Sequence, residues 1–355
     1  MVLHRRETVE VGKISRLKKI LHVFYTRKQV YVKNFVRFVS RNAVLRDGCS
    51  HSFFFFDEPL KGTVELLTTM HATDLVVFHG FFLPSLFFKA FFLMPWLHKK
   101  SFWVTWGGDV YEKAPESRLK LVDRRVNSFL KRFILPRMAG IGSNAGDYNI
   151  LRSNFGKSIA RGYFLFYPNP VDFALLDGTK IESSKKVVMI GNSGSKTNEH
   201  GDALGFVLES TARFTGDTRI ICPLSNGEKG YVNEIVRRGK YIFDDFVPLL
   251  KFVGREEYAA VLKSVDVAVM YHDRQEGFGT VLALLYAGAK VYMKNNVSTF
   301  GLLELLGIKV HDVDKIGTKD FFEVGGNEKA KNAEMIRAFF SEDNCAGYWN
   351  SIFCS

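Results

Sequence analysis

Residues 187–200 read VVMIGNSGSKTNEH. A β-branched apolar run, Val187–Ile190, passes into Gly191-Asn192-Ser193-Gly194, and a helical pattern begins near Asn198. Strand, glycine turn and helix in this order bring backbone N–H groups and the positive end of a helix to face an anion. Ser193, Lys196 and Asn198 add donors, which together make the set a diphosphate needs. No Gly-Lys-Ser/Thr closes the loop, so it is not a Walker A sequence. Gly156-Lys157-Ser158 fails the same test, because Leu151 occupies the first glycine position. The blander alternative for residues 191–198 is a strand-to-helix turn with capping residues.

Outward from this loop, short apolar runs alternate with helix-length segments on both sides. On the N-terminal side, strands are expected at Ile20–Phe24, Ser52–Phe56, Leu75–Phe78, Phe102–Thr105, Gly140–Gly142 and Tyr163–Tyr167. A helix is expected over Arg124–Met138, where Val126, Phe129, Leu130 and Phe133 recur at helical spacing. On the C-terminal side, strands at Val187–Ile190, Arg219–Cys222 and Val267–Tyr271 alternate with helices at Glu199–Phe214, Glu228–Arg238 and Thr280–Ala287. This βαβ alternation predicts an α/β fold of two doubly wound, Rossmann-like domains. Prolines and polar residues break the pattern at 167–186 (YPNPVDFALLDGTKIESSKK), so the first domain is placed at 1–175 and the second at 183–337. The final stretch, 338–355, is helical and carries Tyr348, Trp349 and Phe353; it is expected to pack back on the first domain.

The composition suits two globular domains: 355 residues, 46% hydrophobic and 24% charged, which excludes wholesale disorder. Four cysteines, Cys49, Cys222, Cys345 and Cys354, stand far apart, so neither a disulfide scaffold nor a zinc ribbon is indicated and a reduced, cytosolic setting is expected. The charge is unevenly shared. Residues 1–180 hold 28 Lys+Arg against 14 Asp+Glu, whereas the remainder hold 21 against 23. An anionic partner is therefore expected for the first half only, either nucleic acid or an acidic membrane surface. The N-terminus has no apolar signal-peptide core. The greasiest run, Phe81–Leu97 (FFLPSLFFKAFFLMPWL), carries Lys89, Pro84 and Pro95, and reads as a buried or interfacial helix, not a span.

Two further segments carry chemistry. Arg274-Gln275-Glu276-Gly277-Phe278-Gly279-Thr280 follows a strand and precedes an apolar helix. Arg274 suits a phosphate, Glu276 suits sugar hydroxyls, and the carboxyl edge of an open sheet is where ligands bind. In the first half, WVTWGGDVYE (103–112) puts Asp109 after a buried strand between glycines and tryptophans, where a sugar can stack and a base can act. His79-Gly80 ends the preceding strand in the equivalent place. Asp312-Val313-Asp314 and Asp244-Asp245 are read as solvated loop acids, and no metal-ligand spacing stands out.

WGGDVYE (106–112), GNSGSKTNEH (191–200) and RQEGFGT (274–280) resemble the signature segments of glycosyltransferase family 56. FHGFFLP (78–84) and FYPNPVD (166–172) fit in order and spacing, so the resemblance runs from about Ile20 to Phe353. That family comprises TDP-N-acetylfucosamine:lipid II transferases of enterobacterial common antigen synthesis. The resemblance implies a GT-B fold, with an acceptor domain and a nucleotide-sugar domain facing a cleft. It implies a TDP-sugar donor carrying an amino-dideoxy sugar and a polyprenyl-diphosphate-linked glycan acceptor. It also implies peripheral attachment to the anionic cytoplasmic leaflet of the inner membrane, with no nucleic acid partner and no obligate metal. Gly191, Asn192, Ser193, Gly194, Lys196, Asn198, Arg274, Gly277, Gly279 and Thr280 would hold the diphosphate. Glu199 and Glu276 would meet ribose or sugar, and in an inverting reaction Asp109, or failing it His79, would act as base on the acceptor hydroxyl. The stretch 251–279 is similar to the donor-domain pattern of many GT-B transferases. It departs from the large retaining family at Leu284, where that family has a second glutamate. Residues 13–46 and Phe81–Lys100 are the candidate lipid-facing surfaces. A sugar-nucleotide epimerase and a nucleic-acid-binding protein are the alternatives; the first leaves the basic bias unexplained, and the second lacks a recognisable module.

Overall fold

Lys18–Phe24 forms the first strand, β1, and its last five residues are buried, as expected of a strand covered on both faces. The computed structural model describes residues 16–27, 30–56, 59–110, 118–168, 170–179, 185–211, 218–315 and 321–354. Residues 13–15 and 28–29 of the candidate lipid-facing stretch, Tyr111–Glu112, and residues 180–184 of the expected connector lie outside these. β2 (Cys49–Phe55), β3 (Leu75–His79), β4 (Ser101–Val104), β5 (Gly140–Ser143) and β6 (Gly162–Phe164) join β1 in a sheet of order β2-β1-β3-β4-β5-β6. Every neighbouring pair in it is parallel. A second all-parallel sheet has the order β12-β11-β10-β7-β8-β9. Its strands are β7 (Lys186–Ile190), β8 (Thr218–Pro223), β9 (Phe246–Leu249), β10 (Val267–Met270), β11 (Lys290–Met293) and β12 (His311–Asp312).

Three of these strands were not foreseen from the sequence. β9 contains Pro248, which a ladder accepts only at its edge, and β9 is the edge strand. β12 has two residues, and β11 is a four-residue run that begins with a buried lysine, Lys290. In β5 two glycines stand where side chains would collide. A Cβ on Gly140 would lie 2.5 Å from the Phe102 ring and 2.6 Å from Tyr163.

The greasy run 81–97 is not one helix. It folds as Ser85–Phe92 and Pro95–His98, with Pro84 as N-cap and Pro95 at the first helical position, where proline is tolerated. Phe87, Phe88 and Phe91 face inward, while Leu86, Leu93 and Trp96 are exposed. After β12, helix Gly326–Phe340 lies on helix Phe278–Tyr286, with Phe278 and Phe340 rings 5.5 Å apart. The last helix, Glu342–Phe353, returns to the first sheet. There Trp349 donates its indole N–H to Phe166 O (3.0 Å) and packs its ring on Phe35 at 4.6 Å.

Candidate active site

β7 and β10 are neighbours, so the loops leaving their carboxyl ends lie side by side. Gly191 N–H donates to Val269 O (3.0 Å), and Asp273 N–H to Thr197 O (3.1 Å). The Glu276 carboxylate ties the loops together. It accepts from Thr197 Oγ1 (2.7 Å), Asn198 Nδ2 (3.0 Å) and Arg274 Nε (2.8 Å), with a further bond from the Arg274 guanidinium. Arg274 and Glu276 are each only 16% exposed, so the guanidinium is held in one orientation at the sheet edge.

The residues expected to hold the donor divide into two groups. Asn192, Ser193, Arg274, Glu276 and Gly277 remain partly open at this edge. Asn198 does not: it has no exposed surface. Its Oδ1 accepts from Asn192 N–H (2.9 Å) and His272 Nε2 (3.0 Å), and its Nδ2 serves Glu276 and Ser193. It clasps the two loops and has no surface left for a ligand, which corrects its expected role. Gly194 is likewise turned away, because a Cβ there would lie 3.1 Å from the Gly227 backbone. Lys196 pairs with Glu228 on the surface (2.9 Å). Glu199 is left-handed (φ 48°) and turns the chain into helix His200–Thr211. Gly191 (φ +67°) and Gly277 (φ +61°) need their freedom; a Cβ on Gly191 would lie 2.8 Å from Asn198 Oδ1. Gly279 lets Pro170 O approach, and Thr280 lies 3.4 Å from the Tyr258 hydroxyl.

Across the cleft, the turn 106–109 is organised by Asp109. Its carboxylate accepts from Trp106 N–H (2.8 Å), Phe81 N–H (3.0 Å) and the Trp103 indole (2.8 Å). Burial raises its pKa above the ordinary carboxylate value, and these three donors pull the other way. Asp109 does not line either cavity described below. His79 is fully buried and its pKa is held well below 6.5 by desolvation, so the ring is neutral.

His79 is one of three imidazoles in a row. Parallel register sets His51 beside Ile20 and His79 beside Phe24, with His22 between, so all three share one sheet face. His22 Nε2 lies 2.9 Å from His51 Nδ1, and His22 Nδ1 lies 3.0 Å from His79 Nε2. His79 Nδ1 meets the Tyr167 hydroxyl at 2.5 Å, and Trp106 donates its indole N–H to the same oxygen. The last helix covers this face, with Phe353 4.9 Å from His51 and Trp349 5.6 Å from His79.

The domains meet where the Gln275 amide nitrogen donates to the Asp147 carboxylate (2.5 Å) beside Asn144, and Ser298 Oγ donates to Asp147 Oδ1 (2.9 Å). A cavity of about 490 Å³ lies between them, walled by Tyr31, Trp106, Tyr167, Asn144, Gln275 and Phe278. A second, of about 660 Å³, shares Asn34, Pro170 and Gly279 with it and includes Arg37, Arg41, Arg255 and Thr280. Residues 191–199 line neither.

The family described as 4-alpha-L-fucosyltransferase, glycosyl transferase group 56, matches residues 26–348. The chain belongs to glycosyltransferase family 56. It is therefore a glycosyltransferase, and its two facing α/β domains are those of the GT-B fold. Solved structures that this family 56 chain resembles include the N-terminal domain of Candida albicans trehalose-6-phosphate phosphatase. That likeness has TM-score 0.66 at 12% identity and covers 99% of this chain and 98% of that one. An E. coli trehalose-6-phosphate structure bound with UDP-2-fluoro glucose gives TM-score 0.64 at 7% identity, covering 95% and 98%. Sucrose-phosphate synthase from Thermosynechococcus elongatus gives 0.59 at 12%, covering 93% and 96%.

Several features of this family 56 enzyme were not foreseen. His22 and His51 lie in no motif, and Tyr167 and Gln275 lie inside quoted segments without being singled out; all four become visible only through strand register and domain docking. Asp312 and Asp245 are not solvated acids. Asp312 is buried and accepts from Asn295 Nδ2 (2.7 Å) and Asp314 N–H (3.0 Å), while Asp245 pairs with Lys185 (2.8 Å) and Arg219 (3.1 Å). Among the described residues no cluster of three or more His, Cys, Asp or Glu forms a metal-binding group, and no helix is long and apolar enough to cross a membrane.

Proposed function

We propose that this enzyme transfers an amino-dideoxy sugar, N-acetylfucosamine or a related 4-acetamido-4,6-dideoxyhexose, from a TDP donor to an undecaprenyl-diphosphate-linked oligosaccharide. The observation that carries the reading is the meeting of loops 191–199 and 274–280 at one sheet edge, within a chain of this family. Gly191–Ser193, Arg274, Gly277, Gly279 and Thr280 face the diphosphate. Glu276 and Glu199 meet ribose or sugar. Arg274, held by Glu276, offsets the charge that develops on the departing nucleotide. Asn198, Gly194 and Lys196 shape the loop from behind. On the acceptor side, His79 has a hydrogen-bonded path to the cavity through Tyr167, whereas the Asp109 oxygens already serve the backbone of the turn.

The enzyme works peripherally on the cytoplasmic face of the inner membrane, and no metal takes part in transfer. Support for attachment comes from exposed Leu86, Leu93, Trp96, Phe129 and Phe133, set among the exposed cations Lys89, Arg132 and Arg137. Within 13–46, by contrast, Val32, Phe35, Phe38 and Val39 are core. The test is direct turnover. Purified enzyme mixed with the TDP-linked sugar and a lipid-diphosphate disaccharide, with chelator present, should yield the trisaccharide lipid. Transfer from a UDP- or GDP-linked sugar instead would refute the donor assignment.

A further inference from the structure

The row of imidazoles has a direction, and one carbonyl fixes it. Leu45 O can only accept, so His51 Nε2, 2.7 Å away, carries a hydrogen. In a neutral ring His51 Nδ1 is then an acceptor, and His22 Nε2 must donate to it. His22 Nδ1 in turn accepts from His79 Nε2, and His79 Nδ1 accepts from the Tyr167 hydroxyl. The Tyr167 oxygen thus has its hydrogen committed to His79 and one lone pair committed to Trp106. Its other lone pair has no partner among the described residues, and Tyr167 lines the cavity between the domains. Towards a ligand this hydroxyl can act only as an acceptor.

The rings around the row include Phe24, Phe35, Phe53, Trp349 and Phe353, and among the described residues no carboxylate bonds to any of the three imidazoles. Tyr31 and Asp109 are the other titratable groups acting on Tyr167. Three polar rings in such surroundings are costly to retain for packing alone, and hydrogen bonds aligned head to tail polarise one another.

We propose that Tyr167 takes the hydrogen of the acceptor hydroxyl during transfer while its own hydrogen passes to His79 Nδ1. The acceptor oxygen bonds to the anomeric carbon, and the bond from that carbon to the diphosphate oxygen breaks, its electron pair leaving with the nucleotide. The Nε2 hydrogens of His79 and His22 each step to the next ring, so the positive charge comes to rest on His51, the one imidazole of the three that is partly exposed. After product leaves, the hydrogens step back and Tyr167 gives one to water in the cleft. Tyr167 is the catalytic residue; His79, His22 and His51 are positioning residues that act through it.

The inference rests on the transfer to a hydroxyl proposed above, and its test separates the two. In an assay where wild type turns over, Tyr167→Phe should lose about 10²–10⁴-fold in kcat, with TDP affinity unchanged. The wild-type rate in mixed H₂O and D₂O should curve with deuterium fraction, because several hydrogens move together. Retention of kcat within about threefold, a loss confined to TDP binding, or a linear isotope response would overturn the relay. If wild type does not turn over, the donor assignment fails first and the relay is read by ¹⁵N NMR of the imidazoles. Neutral Nε2–H tautomers at both His22 and His79 support it; Nδ1–H tautomers or charged rings overturn it.

Discussion

His22, His79, His200 and His272 are each at most 2% exposed, and among the described residues none of the four is ion-paired. Desolvation holds all four below their ordinary pKa, His200 and His272 at about 4. An unfolded chain protonates them near 6.5, so between about pH 6.5 and 4 the unfolded state binds more protons and stability must rise with pH. The expected outcome is a melting temperature flat above about pH 7 and falling steeply below 6, with each fully buried ring contributing on the order of 1.4 kcal/mol per pH unit. A scan of thermal unfolding against pH checks this; a flat profile down to pH 4.5 would mean that these rings are solvated. Little of this was legible in the sequence. His79 stood out because it ends a strand beside a glycine, but its alignment with His22 and His51 depends on the register of three parallel strands. Register is a tertiary property that no local pattern reveals. The glycine-rich loops were legible because Gly191 and Gly277 answer a local demand, positive φ, that any reader of the sequence can anticipate. The buried role of Asn198 was hidden, since an asparagine in a glycine loop looks the same whether it meets a ligand or a neighbouring loop.

At the scale of elements, the helices Ser85–Phe92 and Arg118–Ile134 share a surface. The Phe92 and Phe133 rings are 5.8 Å apart, Phe129 and Phe133 are 5.0 Å apart, and Phe129 is 58% exposed. Replacing Phe129 and Phe133 together with serine should weaken binding to anionic vesicles by roughly tenfold or more while leaving the melting temperature nearly unchanged, because little buried area is lost. Sedimentation with phosphatidylglycerol vesicles measures it; equal partitioning of variant and wild type would move the attachment surface elsewhere. The sequence pointed to the run 81–97 but not to its break, although Pro84 and Pro95 supply the reason. It also marked helix 124–138 by periodicity without saying that Phe129 and Phe133 lie outside. In an amphipathic helix both faces can be apolar when one of them meets something other than the core.

At the scale of the whole molecule, the excess of basic residues in the first 180 positions and the near-neutral remainder coincide with two separate sheets, and the glycine-rich loops sit on the second. That division, and the βαβ alternation behind it, was legible from composition and period alone. The return of helix Glu342–Phe353 over the histidine row was legible only as an aromatic-ended helix in need of a partner. Docking of the domains through Gly146, whose Cβ would lie 2.2 Å from Ser298, was not legible, because neither residue belongs to a motif. The proposed donor assignment requires the second domain to bind TDP in preference to other nucleotides. Thermal unfolding in the presence of TDP, UDP, GDP or ADP at about 100 times a plausible Kd, without added metal, reads that choice through a stabilisation of roughly 2.7 kcal/mol for the ligand bound. A clear shift with TDP and little with the others is expected; a shift with GDP or UDP and none with TDP would refute the TDP-sugar assignment.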